Sequence, residues 1–334
     1  VTRKGGIEES VVIKGFSWYQ NSCYIDSLLM IMFYGSSSFY RDIIKNTNVD
    51  TIVYESIPAI CSSKSTINTD QKVRALTKKI QVQLLQDFSS LEEGEFVECT
   101  PLRELLSKCF PDMKSQGHRG KFQMYNVSEL YNTFTELFPA MKLKLYIETE
   151  SDKYGHDFDW KLRPLLQMWD FMAPIQYENY ERPSWITREP EYGPNIDIYP
   201  RPKDNPPVLV FQNGGFPPIR KFDSISSETI DGIEYEKSNK FGEVINVGYD
   251  KYRLFGAVIL QGTRPGKEGG RHYISYVRRE SSGIPSGIPS GIPSGWFRYN
   301  DVQEEFVEID RLPSTVFREI VGSKPEMYFY EKLN

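Results

Sequence analysis

Histidine is scarce in this 334-residue chain, which has three, and cysteine is nearly as rare at four. Cys23, Cys61, Cys99 and Cys109 form no CxxC pair, which excludes a zinc ribbon and a dense disulfide framework and points to a reducing compartment. No metal and no cofactor is expected. A basic excess is missing as well: 40 Lys and Arg stand against 45 Asp and Glu, for a net charge of −5. A general nucleic-acid binder would carry a basic face, so nucleic acid is not an expected partner, and an acidic surface suits a basic one. Long apolar runs are absent too. The longest, Ser27 to Tyr34 (SLLMIMFY), is too short to cross a bilayer and follows no signal-peptide pattern. The expectation is a soluble intracellular protein, in cytoplasm or nucleus, with no membrane partner. The first residue is Val1 rather than Met, which reads as an excised domain or a processed product.

What is present suits a folded enzyme. Hydrophobic residues make up 39% and aromatics 14%, enough for a sizeable core in one large domain spanning 1–334. A short strand is expected at Glu9 to Lys14, then a turn at Gly15 leading to Cys23. From Cys23 to Phe33 almost every position is apolar, which predicts a central helix buried on all sides. Further helices are expected at Asp70–Phe88, Leu102–Cys109 and Val127–Phe138, the last with Asn126 or Ser128 as its cap. Strand composition begins at Lys142–Glu148 and returns at Pro206–Gln212, Tyr252–Gly262, His272–Arg278, Trp296–Tyr299 and Met327–Glu331. Helices first (about 15–140) and strands afterwards (about 141–334) predict an α+β fold. The stretch 150–205, rich in Pro, Tyr and charge, resists assignment. Residues 283–295 read GIPSGIPSGIPSG, a linker or loop of engineered or natural low-complexity origin.

A thiol nucleophile needs its thiolate form, and the start of a helix, where Cys23 falls, favours negative charge. A lone buried cysteine is by itself an ordinary core residue. Thiol catalysis also needs a histidine to carry the proton and a third side chain to orient it. His118 (SQGHRGK) and His156 (KYGHDFD) fall in polar segments that read as solvated loops, whereas His272 opens the alternating strand HYISYV. If that strand and the one at Trp296 form a hairpin, residue 272 faces the neighbourhood of 303, within reach of Asn300 and Asp301. Spacing alone leaves open whether Tyr299-Asn300-Asp301-Val302 is instead a plain strand-ending turn.

The segment Gly15 to Leu29 (GFSWYQNSCYIDSLL) resembles the cysteine box of the ubiquitin-specific proteases, and NSCYIDS is closely similar to the cylindromatosis-type branch. Tyr252 to Val277, with GGRHYISYV after YRLFGAVILQG, resembles the family's histidine box. WFRYNDV (296–302) looks like its continuation, with Asn300 where the family carries the Asn or Asp that orients the histidine, and Asp301 as second choice. PEMYFYEK resembles the strand that closes the domain. Asn300 follows His272 by 28 residues, or by 15 once the 13 residues of 283–295 are set aside, which agrees with the family's spacing.

The resemblance implies a papain-like α+β fold of palm, thumb and fingers, acting as a deubiquitinase on ubiquitin, polyubiquitin and ubiquitinated proteins. Cys23 would attack the carbonyl of ubiquitin's last glycine while His272 moves the proton. In MYNVSELY (124–131), Glu129 and Asn126 stand where the family meets the basic ubiquitin tail; Gly269, Gly270 and Tyr273 flank the histidine on the same path. Departures are informative. Trp18 replaces the usual oxyanion-hole Asn, which shifts that role to Asn21, Gln20 or the backbone N–H of Cys23. The zinc-binding Cys pairs of the fingers are missing, so the fingers are reduced or zinc-free. A protease for another ubiquitin-like modifier, such as SUMO, and a ubiquitin-binding pseudoenzyme are the competing readings.

Overall fold

The structure is a computed structural model. It describes residues 14–54, 65–114, 122, 126–150, 156–163, 166–167, 201–202, 206–212, 225–230, 233–238, 243–247, 250–262, 272–279, 295–302, 305–309, 313–323 and 325–333. The expected strand at Glu9–Lys14 and the repeat at 283–295 (save the last residue of each), His118 and the glycines at 269 and 270 lie outside them.

The first helix, α1 (Cys23–Tyr34), has all its residues buried, as its unbroken apolar composition predicts. Helix α2 is Phe39–Asn46. Helix α3 (Asp70–Glu92) starts where the Thr69 side chain accepts the N–H of Lys72. Its buried residues Val73, Leu76, Ile80, Leu84, Phe88 and Leu91 recur at three- and four-residue spacing, one stripe of a 3.6-residue helix. Helix α4 is Thr100–Leu106, with Pro101 in its first turn. Helix α5 (Val127–Leu137) is capped by Asn126, whose Oδ1 accepts the N–H of Ser128 at 2.8 Å.

The chain then turns to strands: β1 (Leu143–Glu150), β2 (His156–Arg163), β3 (Leu166–Gln167), β4 (Arg201–Pro202) and β5 (Val208–Gln212). There follow β6 (Ile225–Ile230), β7 (Ile233–Ser238), β8 (Val244–Val247), β9 (Asp250–Gln261), β10 (His272–Arg279), β11 (Gly295–Asn300) and β12 (Glu305–Ile309). Helix α6 (Pro313–Gly322) and β13 (Met327–Lys332) end the described chain. The main sheet runs β12-β11-β10-β9-β13-β5-β3, with β8, β7 and β6 branching from β9; β2, β1 and β4 form a smaller sheet.

The main sheet is covered on both faces. Alternate residues of β10 divide between two cores: Tyr273 and Val277 join α1, α3 and α5, while Ile274 and Tyr276 join Val316, Phe317 and Ile320 of α6. Burial on both sides explains why the long middle of β9 is apolar without alternation. At Gly256 of β9 the helix comes so close that a Cβ would lie 2.6 Å from Ile31 Cγ2, so only glycine lets α1 seat on the strand.

The predicted order of helices, then sheet, is the observed one, and the fold is α+β. His156 is not in a loop: it opens β2, paired with Glu150 of β1. Helices α2 and α6, and the polar strands β2, β6, β7 and β12, have no counterpart among the sequence expectations. FYRDIIKN buries only Tyr40 and Ile44, too weak a stripe to stand out. ISSETI and IEYEKS carry too few apolar residues for a strand pattern.

Candidate active site

Cys23 is the first residue of α1, so its backbone N–H is one of the helix's unpaired donors. The segment leading to it is bent sharply: Gln20 and Asn21 have φ of 46° and 63°, in the left-handed region that side-chain-bearing residues seldom adopt. Arg103 of α4, with no exposed surface, holds this bend by donating from Nη1 to Tyr19 O (2.7 Å) and from Nη2 to Gln20 O (2.6 Å). Its guanidinium also lies over the Phe122 ring at 4.1 Å.

The thiol of Cys23 is packed against the sheet, where the backbone N–H groups of Tyr273 and Tyr24 point at it. Tyr273 is the residue after His272, so the nucleophile candidate meets the start of β10. Burial pushes the thiol up to about 12, with the negative charges of Asp301 and Asp26 acting in the same direction. Desolvation therefore outweighs the two backbone N–H groups that favour the thiolate.

The ladder between β10 and β11 pairs Ser275 with Tyr299, and extending it three residues sets 272 opposite 302, one short of the expected 303. The turn that follows brings the third group to the ring. His272 Nε2 lies 2.8 Å from Asn300 Oδ1 and 3.2 Å from Asp301 Oδ1. The amide carbonyl can only accept, so Nε2 carries the proton and Nδ1 is left with its lone pair. Asn300 Oδ1 also accepts the N–H of Val302, at 3.2 Å, which locks the amide's orientation.

The remaining candidates divide into groups. The Gln20 carboxamide accepts the N–H of Phe122 (3.3 Å) and donates to the Tyr19 hydroxyl (2.8 Å); Asn21 Nδ2 donates to Phe122 O at 3.3 Å. Both amides are thus tied to Phe122. Tyr273 is buried, and its hydroxyl donates to Glu326 (3.2 Å) and receives the N–H of Val127, joining β10 to the start of α5. Asn126 and Glu129 stand exposed on that same helix start. Trp18 and Tyr19, 46% and 42% exposed, form an aromatic rim before the bend.

Two buried polar residues escape sequence reasoning. Asp26, one turn after Cys23, is fully buried; burial holds its carboxyl above the ordinary range. Arg103 is indistinguishable in sequence from any solvated helix arginine. The only hint of the first is an acid in an otherwise apolar run. Among the described residues, no group of three or more His, Cys, Asp and Glu is arranged to hold a metal, and no helix is long and apolar enough to cross a membrane.

No family model and no curated protein matches the sequence. Solved structures do match in fold. The Saccharomyces cerevisiae Pan2 pseudoubiquitin hydrolase–RNA exonuclease module, in complex with AAUUAA RNA, superposes with a TM-score of 0.53 at 13% identity. The match covers 97% of this chain and 54% of that one, so the chain spans about half the length of that neighbour. The SAGA deubiquitinating module Ubp8/Sgf11/Sus1/Sgf73 bound to monoubiquitin aligns at 0.47 and 13% identity, over 96% of this chain and 69% of that one. An essential yeast splicing factor aligns at 0.49 and 12%, over 96% and 70%. The chain shares the α+β fold of the Pan2 pseudoubiquitin hydrolase module.

Proposed function

We propose that the chain is a thiol deubiquitinase that hydrolyses the bond after the C-terminal glycine of ubiquitin, on substrates or within polyubiquitin. One observation carries this reading: the thiol at the start of a buried helix lies against the backbone of Tyr273, the residue after a histidine whose Nε2 is held by Asn300. In this reading His272 Nδ1 takes the proton of Cys23 as sulfur attacks the glycine carbonyl, then delivers it to the departing amine. Asn300 keeps the ring in the required tautomer and orientation. The N–H of Cys23 itself, unpaired within the helix, supplies oxyanion donation, since Gln20 and Asn21 are tied to Phe122. Asn126 and Glu129, exposed at the start of α5, receive the basic ubiquitin tail.

Ubiquitin carrying a C-terminal fluorogenic amide tests the reading. The wild type releases the fluorophore and Cys23→Ala does not, while Cys23→Ala still binds ubiquitin. Release undiminished in Cys23→Ala contradicts the assignment. The same assay on SUMO and related modifiers separates the rival substrates. A second reading, a ubiquitin-binding pseudoenzyme, draws on the deeply protonated thiol and on Trp18 in place of an oxyanion Asn. Binding of ubiquitin without turnover by the wild type supports that alternative.

A further inference from the structure

Asp26 of α1 and Asp301, the residue after β11, are 0% and 1% exposed. None of their four carboxyl oxygens has a hydrogen-bond donor in good geometry. Ser22 and the Cys99 thiol approach Asp26, and the N–H of Val302 approaches Asp301. The stronger donors nearby are engaged elsewhere. Arg103 directs Nη1 and Nη2 to Tyr19 and Gln20, and His272 Nε2, 3.2 Å from Asp301, directs its N–H to Asn300. Each carboxyl is also reached by the other.

Two unsatisfied carboxylates in contact in a dry interior cannot both ionise: each loses its hydration and repels the other. One proton between them removes both penalties, because the carboxylic O–H of one then donates to the carboxylate of the other, a short charge-assisted hydrogen bond. We infer that Asp26 and Asp301 share a single proton across the α1–β11 junction, and that Asp26 is a positioning residue that sets the charge beside His272 and Cys23. This rests on the proposed thiol chemistry only for its consequence; the shared proton itself follows from burial and contact.

The consequence is electrostatic. Cys23 and Tyr24 from α1, Cys99 ahead of α4, Arg103 from α4, Tyr299 from β11 and His272 from β10 are the titratable or charged groups facing the pair. Arg103 is the one permanent cation among them. With a proton in the pair, the net charge of Asp26 and Asp301 is −1, which balances an imidazolium formed at His272 without a second negative charge opposing the thiolate. Loss of that proton at higher pH adds the second charge and opposes ionisation of Cys23. Asn300, a neutral acceptor, fits the same scheme, since it orients the ring without adding charge.

Infrared spectroscopy tests the inference without needing turnover. At neutral pH the wild type shows the C=O stretch of a protonated buried carboxyl, which fades as pH rises. It is absent from both Asp26→Asn and Asp301→Asn, because each leaves one carboxylate receiving an amide N–H. The rate of Cys23 carbamidomethylation against pH shows a second inflection in the wild type where the pair gives up its proton, and Asp26→Asn removes that inflection. Absence of the band from the wild type, or its survival in both variants, overturns the proposal. The Cys23→Ala protein keeps the band, so a failed hydrolase reading remains distinguishable from a failed acid pair.

Discussion

At the scale of single residues, the candidate site combines a protonated thiol with a well-held imidazole. Burial keeps Cys23 near 12, so the unbound protein holds a thiol rather than a thiolate at neutral pH. Iodoacetamide should therefore modify Cys23 more slowly than an exposed cysteine with a pKa of about 8.5. Peptide mapping of alkylation rates checks this, and a rate at pH 7 equal to that of free cysteine would contradict it. His272→Ala should cost about 10²- to 10⁴-fold in turnover, the range for a general acid–base group. Asn300→Ala should cost less than His272→Ala and more than Asp301→Ala, because the amide lies on the line of the Nε2–H bond at 2.8 Å and the carboxylate lies off it at 3.2 Å. A kcat series in which Asp301→Ala is the more damaging would reverse those roles. Cys23 and His272 are legible in sequence because they fall in local patterns, an apolar helix start and an alternating strand. The choice of Asn300 comes from the resemblance of the boxes around it, because spacing alone leaves a strand-ending turn open. Asp26 and Arg103 are not legible, because a buried charge is recognised by what surrounds it in space, and their surroundings come from α1, α4 and the turn after β11.

At the scale of elements, the site is the junction of α1 with β10 and β11. Its geometry depends on how closely the helix seats on the sheet. Gly256 sets that distance: a methyl group there meets Ile31 at 2.6 Å, backed by further Ile31 atoms at 3.2 and 3.3 Å. Gly256→Ala should destabilise the fold by about 1–3 kcal/mol, as overpacking does, and should lower turnover by displacing Cys23 from Tyr273. Urea unfolding and kcat measured together check this; unchanged stability would show that the contact yields freely. The register of β10 on β11 was within one residue of what hairpin counting predicts, because the strand ends are marked by composition. The polar strands β6 and β7 leave no such mark, and the stretch between β3 and β4 falls outside the described residues.

At the scale of the molecule, the unfavourable burial of acids near the site is offset by two cores on either face of one sheet. That burial has a pH signature. The folded state holds a proton on the Asp26–Asp301 pair above the ordinary carboxylate range, whereas the unfolded chain ionises both acids near about 4. The unfolded state then binds fewer protons, so this contribution is fully present below about pH 4 and is lost as pH rises through the raised folded values. The Tm of Asp26→Asn relative to wild type should therefore climb between pH 5 and pH 8; a difference that stays flat or shrinks would show that the acids are not held protonated. The fold is shared with a pseudoubiquitin hydrolase, so chemistry must be read from the site and not from the architecture. The most direct measurement is reaction with ubiquitin bearing a C-terminal thiol-reactive electrophile, followed by peptide mapping. The account predicts a single covalent adduct on Cys23, lost in Cys23→Ala and slowed in His272→Ala; no adduct, or an adduct on Cys99, would contradict it.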